Sequence, residues 1–206
     1  MFLAWGMSAR AAPPALSADQ QRRVDAGEIV LLDTLPPGAG KSSDGGTAIA
    51  LVAAPAAVVW DILVDVRNHP AIYPRVVHAE PTRVDARHVR VRYTLAVGPF
   101  PVVLHVDKYP DPARRRVEWR LAEDRPSRLF SENSGYWQVD ALGDCALVTY
   151  AVATRTLFPA FLTRGAQRDS LVATVEAVRR KAREVVSHAT RCSTVHSLDD
   201  KAELAL

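Results

Sequence analysis

The sequence predicts an α+β fold in which a curved antiparallel sheet wraps around one long helix near the C-terminus. Across residues 159–188, Leu171, Val175, Val178, Ala182 and Val185 recur at steps of three and four. Arg164, Arg168, Glu176, Arg179, Arg180 and Arg183 fall mostly between them, the pattern of an amphipathic helix. Most of the preceding chain consists of short segments alternating apolar and polar residues, as antiparallel strands with one wet face do. The connections between these segments are short, which favours a meander. Each of the two parts needs the other to cover its apolar side, so the sheet must curl over the helix.

Taken in order, residues 1–16 begin with a short apolar run followed by the small-x-small triplet Ala9-Arg10-Ala11. Two readings stand side by side: a signal peptide, lacking an early basic residue and a full-length apolar core, or a disordered tail. Location is accordingly open between export to a periplasm and retention in the cytoplasm. Residues 17–45 read as an extension. Ser17 to Gln20 forms a capping-box pattern and Gly27 suits a helix end, which predicts a helix over 18–26. A strand over 28–34 and a Pro/Gly/Ser loop over 35–46 follow. That loop holds Gly40-Lys41-Ser42, the tail of a phosphate-loop motif, but Leu35 replaces the first glycine and no helix follows the lysine. Without a helix N-terminus there is no aligned set of backbone donors for phosphate, so the segment reads as a plain loop.

The main domain is expected over 46–188. It starts with a strand over 47–53 and a helix over 56–64 opened by Pro55, then a short turn capped by Asn68 and ended by Pro74. Strands are predicted over 76–84, 87–97, 100–109, 116–121, 128–139 and 146–154, with turns at Gly98-Pro99, 110–113 and Gly143-Asp144. On the final helix, Pro159 suits the first turn, and Glu176 and Arg180 have the spacing of a charge pair. A polar tail is expected over 189–206.

Composition excludes several classes. The chain has 206 residues, 48% of them hydrophobic and 24% charged, which suits a globular domain with a sizeable core and excludes a disordered one. A net charge of +3, without a basic run interleaved with aromatics, gives no support to nucleic-acid binding. Arg114 to Arg116 sit at a turn and read as solvated. The two cysteines, Cys145 and Cys192, suggest neither a disulfide framework nor a zinc site. The six histidines show no metal-ligand spacing, and His105 falls on the outer phase of its strand. Asp61 and Asp65 share a helix face, but like carboxylates there usually meet solvent. No nucleophile turn is present.

The more apolar face of each strand gives an inner lining that is rich in aromatics. It contains Tyr93 and Leu95; Phe100, Val102, Leu104 and Val106; Val117, Trp119 and Leu121; Leu129, Trp137 and Val139; and Val148, Tyr150 and Val152. Ser131 and Asn133 break the pattern. Either they meet a buried ligand, or a bulge near Ser134-Gly135 turns them toward water. An apolar pocket with few polar groups is the usual small-molecule site. The residues expected to line it are Tyr93, Leu95, Leu104, Trp119, Asn133, Trp137 and Tyr150, with Arg168 from the helix. For an enzyme, Tyr93, Asn133, Tyr150 and Arg168 are the available proton donors or acceptors. Arg90, Arg92, Arg116 and Arg120 are expected on the outer face as solvated charges.

This order of elements carries the phrases Ala54-Pro55-Ala56-Ala57-Val58-Val59-Trp60-Asp61-Ile62-Leu63, Asp65-Val66-Arg67-Asn68-His69-Pro70, Tyr73-Pro74-Arg75-Val76, Gly135-Tyr136-Trp137 and Val175-Glu176-Ala177-Val178-Arg179-Arg180. In these the chain resembles the START/Bet v 1-like superfamily, and within it bacterial polyketide cyclase/dehydrase and coenzyme-Q-binding START-type proteins. The resemblance implies a helix-grip fold with a cavity between sheet and last helix. It also implies a hydrophobic small-molecule partner of lipid, quinone or sterol class, with transient membrane contact as a companion role. No catalytic residue, metal or cofactor carries over. An aromatic lining without acid/base pairs favours a non-enzymatic carrier, with a polyketide cyclase or aromatase as the alternative.

Overall fold

Eight strands form one antiparallel sheet in the order β1-β2-β8-β7-β6-β5-β4-β3. The computed structural model describes residues 14–85, 87–97, 100–156 and 164–186. The strands are β1 (Val30–Leu32), β2 (Asp44–Val52), β3 (Val76–Val84), β4 (Val89–Val97), β5 (Phe100–Asp111), β6 (Arg116–Leu121), β7 (Phe130–Leu142) and β8 (Cys145–Thr156). From β3 to β8 each strand pairs with the next in sequence, a meander, and β2 then joins β8. The helices are α1 (Ala18–Asp25), α2 (Ala56–Val64), α3 (His69–Ile72) and α4 (Arg164–Val185). The signal-like segment, the Gly98-Pro99 turn, Pro159, Cys192 and the polar tail lie outside the described residues.

Because β2 and β3 stand far apart in the sheet, the chain between them must cross its whole width, and α2 and α3 are that crossing. The apolar faces of α2 and α4 meet the inner sheet face in one core that includes Val59, Leu63, Ile72, Trp137, Val148, Leu171, Val175 and Val178. Val185, expected in the apolar stripe of α4, is 53% exposed instead, and Val186 beside it packs against the core in its place. The expected Glu176–Arg180 pair is replaced by Glu176–Arg179 at 3.1 Å. Arg179 also donates to the carbonyls of Leu51 at 2.9 Å and Gly27 at 3.0 Å, which ties α4 to β2 and to the end of α1.

The N-terminal extension covers an edge. Ser17 and Gln20 form the capping box. Val24 of α1 and Val30 of β1 pack on Ile49 and Leu51 in a second small core, so β2 is buried on both faces. At the opposite edge, β3 is broken by register shifts on either side of a stretch that includes Pro81, devices that discourage pairing with another chain. In the phosphate-loop remnant, Gly40 N–H and the Ser43 hydroxyl both donate to the Glu132 carboxylate, so the anion this loop receives is internal. Asn68 does not cap the short turn; its amide donates to the Ile62 carbonyl, and the Asp65 carboxylate takes the capping role by accepting from Arg67 N–H. Cys145 is disulfide-bonded, a correction to the reading of the sequence, which gives no spacing that would reveal it.

On the outer face the arginines are paired. Arg92 meets Glu80, Arg116 meets Glu118, and Arg90 binds Asp107 with two bonds at 2.7 and 2.9 Å. His88 adds a bond to the same Asp107 carboxylate at 2.7 Å. These contacts, Arg90 first, pull the Asp107 carboxyl down from 3.8 to about 2. A depressed carboxylate contributes stability that is present above its unfolded value and lost as pH falls toward the folded one. Asp107→Asn should therefore cost about 2 kcal/mol at pH 7. The gap to wild type should close between pH 4 and pH 2 in urea unfolding; a gap independent of pH would refute the assignment.

Candidate functional site

A cavity of about 280 Å³ lies between the inner sheet face and α4, against ~150 Å³ for an apolar cavity that holds a benzene. The aromatic side chains therefore do not fill the space beneath the final helix. Strand alternation brings Tyr93 and Leu95 of β4, Leu104 of β5, Trp119 of β6, Asn133 of β7 and Tyr150 of β8 to its wall, and Leu171 and Thr174 of α4 close it. Exposed Pro74 and Arg75 stand at its rim.

Two of the expected residues sit elsewhere. Trp137 is fully buried and stacks on Tyr150 with ring centroids 4.2 Å apart, so it supports the wall from behind. Arg168 is 61% exposed and pairs with Asp33, because its position on α4 faces the N-terminal extension rather than the sheet. The Ser131/Asn133 ambiguity resolves by splitting the pair. The bulge falls between Phe130 and Glu132, before the place expected. Ser131 is exposed and donates to the Arg155 carbonyl. Asn133 resumes the inward phase and accepts from the Trp119 indole N–H at 3.0 Å.

Gly135 follows on that inward phase, and it is there to admit Trp119. A Cβ at this position would lie 2.4 Å from the Trp119 ring and 2.2 Å from the Ala151 carbonyl oxygen. The indole thus lies over a strand position with no side chain, and its height sets the width of the cavity.

The floor of the site holds groups the sequence reading does not assign to it. Lys108 of β5 is 5% exposed and lines the cavity. Its Nζ lies 3.3 Å from His69 Nε2 and 5.7 Å from the centroid of the Tyr73 ring. His69, on α3, is completely buried, with Nε2 also 3.1 Å from the Leu63 carbonyl and Nδ1 2.8 Å from the Tyr93 hydroxyl. The carbonyl can only accept, so the ring proton belongs on Nε2, and Nδ1 accepts from the Tyr93 O–H. That tautomer leaves His69 no lone pair with which to receive an ammonium N–H. Burial lowers Lys108 from 10.5 to about 7. Burial first, and then the charge of Lys108, hold His69 well below its ordinary value. Burial pushes the hydroxyls of Tyr73, Tyr93 and Tyr150 upward, so all three stay protonated donors. The signal for Lys108 was present: the alternation that points Leu104 and Val106 inward continues to position 108. His69 carried none, since its placement depends on how α3 crosses under the sheet. Among the described residues no group of three His, Cys, Asp or Glu side chains could hold a metal ion.

A family model described as polyketide cyclase/dehydrase and lipid transport matches residues 47–189. Three solved structures share the fold at a TM-score of 0.59. They are an aromatase/cyclase from Streptomyces sp. R1128 (22% identity, covering 68% of this chain and 94% of that one), a START superfamily protein from Mycobacterium smegmatis (15%, 68% and 97%) and a STAR-related lipid transfer protein from Xanthomonas axonopodis (17%, 75% and 98%). No curated protein matches the chain in sequence.

Proposed function

The chain belongs to the polyketide cyclase/dehydrase and lipid transport family, and from that premise we propose that it binds and carries a hydrophobic small molecule of lipid, quinone or sterol class. The observation that supports this most directly is the unfilled, mainly apolar space beside α4, with a few polar groups converging on it. Transient membrane contact belongs to this reading as the way such cargo is collected. The outer arginines Arg90, Arg92 and Arg116 are committed to ion pairs, so that contact would fall to the rim beside Arg75.

Protein purified from its native host should release a reproducible hydrophobic compound on solvent extraction and mass spectrometry. The neutral dye N-phenyl-1-naphthylamine should bind at one site per chain and lose that site in Leu104→Trp, which fills the cavity. An empty extract together with dye binding indifferent to that substitution would defeat the proposal.

A second reading, a polyketide cyclase or aromatase, is favoured by the Tyr93–His69 hydrogen bond with the Lys108 amine 3.3 Å from the same ring at the cavity floor. It offers proton donors and a basic amine in one place. Incubation with a linear poly-β-ketone thioester should then yield a cyclised product that His69→Gln abolishes; unchanged substrate would leave the carrier reading alone.

A further inference from the structure

The cavity's polar groups are unbalanced. Among the described residues that line it, none is acidic, while Lys108 lies at its floor and Arg75 at its rim. Lys108 faces His69 of α3, Tyr73 just after it, Tyr93 of β4 and Tyr150 of β8 across the cavity floor, with no carboxylate among them. His69 cannot accept from it, for the tautomeric reason above. Tyr93 spends its proton on His69 Nδ1, and Tyr150 is hydrogen-bonded to Thr174, whose own hydroxyl donates to the Ser170 carbonyl. Tyr73 differs: its oxygen accepts from the Trp137 indole at 3.0 Å, and no described acceptor takes its proton. Two donors, an amine and a phenol, therefore face a mainly apolar space whose described lining offers them no carboxylate. A buried donor left without a partner is costly, and the group that satisfies both is an acceptor-only anion.

We propose that the cavity selects amphiphiles with a carboxylate head, which accepts from Lys108 Nζ and the Tyr73 hydroxyl while the chain lies along Leu104, Trp119, Val152 and Leu171. This rests on the carrier reading and narrows it to an acidic ligand class. The ion pair forms inside the protein, so Lys108 must carry its proton when the carboxylate is bound. Above pH 7 the free amine is neutral, and binding takes up one proton per chain. Affinity for the acid then falls about tenfold per pH unit as the medium grows more alkaline, by linkage. A neutral ligand of the same length has no such dependence. The tyrosines, pushed upward, and His69, pushed downward, do not titrate in that window.

Isothermal titration of the full chain with decanoate and with decan-1-ol between pH 7 and 9.5 tests this. Wild type should prefer decanoate at least tenfold at pH 7 and lose the preference by pH 9.5. Lys108→Met should bind both equally at every pH, and Lys108→Gln serves as a second variant of similar length. Decan-1-ol binding as tightly as decanoate at pH 7, or a decanoate preference that survives both substitutions, overturns the acidic-head inference and leaves the carrier reading standing. Failure of both amphiphiles to bind defeats the carrier reading itself, and the inference with it.

Discussion

Lys108→Met should raise the melting temperature by about 5–15 °C at pH 6 and change it little at pH 10. In the unfolded chain this ammonium holds its proton to about 10.5, whereas in the folded chain it releases it near 7. Between those values the unfolded state binds more protons, so wild-type stability rises with pH across that window. Below the folded value both states are protonated and the whole cost of the buried charge is in place. At ~1.4 kcal/mol per unit that cost is on the order of 5 kcal/mol. Methionine, similar in length and apolar, should recover roughly 2–4 kcal/mol of it, as buried ionic groups replaced by apolar ones do. Urea unfolding of both proteins at pH 6, 8 and 10 measures the difference. A gain that is absent at pH 6, or equally large at pH 10, would show that Lys108 is not the buried, uncompensated amine described above. A residue that destabilises the empty chain and lines its cavity is what a ligand-anchoring role leads one to expect.

Gly135→Ala should have an effect of similar size and opposite sign. The new methyl has nowhere to go: the Ala151 carbonyl is fixed in the β8 ladder, and the Trp119 ring lies on the other contact. Either β7 separates from β8 or the indole is lifted, breaking its bond to Asn133. Overpacking of this kind costs about 3 kcal/mol. The lifted ring would also narrow the cavity, so dye or decanoate affinity should fall along with the urea midpoint. Gly143→Ala makes a control, since nothing lies within 4 Å of its Cβ and only its φ of +58° opposes the change; a cost of about 1 kcal/mol is expected there. Equal costs at the two glycines would contradict the close approach of Trp119.

Much of the architecture was legible because strand and helix periods report which side of an element is dry. Val89 to Val97 alternates so regularly that β4, its inner residues and its pairing direction all follow from the sequence. The same regularity placed Leu104, Trp119 and Tyr150 on one face. Period fails where the backbone breaks it. The bulge between Phe130 and Glu132 splits Ser131 from Asn133, and no local signal in that stretch fixes which residue is skipped. Arg168 illustrates a different gap, since a charged residue at the edge of a helical stripe can turn either way. The partner that turns it, Asp33, is distant in the chain.

The sequence by itself determined the elements, their order and the apolar faces that force a sheet to close over a helix, because these follow from local periodicity and chain connectivity. It also determined the aromatic character of the inner face. Only the tertiary structure decided that room remains beneath α4, because a cavity is the difference between the volume the elements enclose and the volume their side chains fill. It alone brought His69 from the crossing segment against Lys108 and Tyr93. The charge state of that amine depends on neighbours supplied by three separate elements, and no stretch of sequence contains them together.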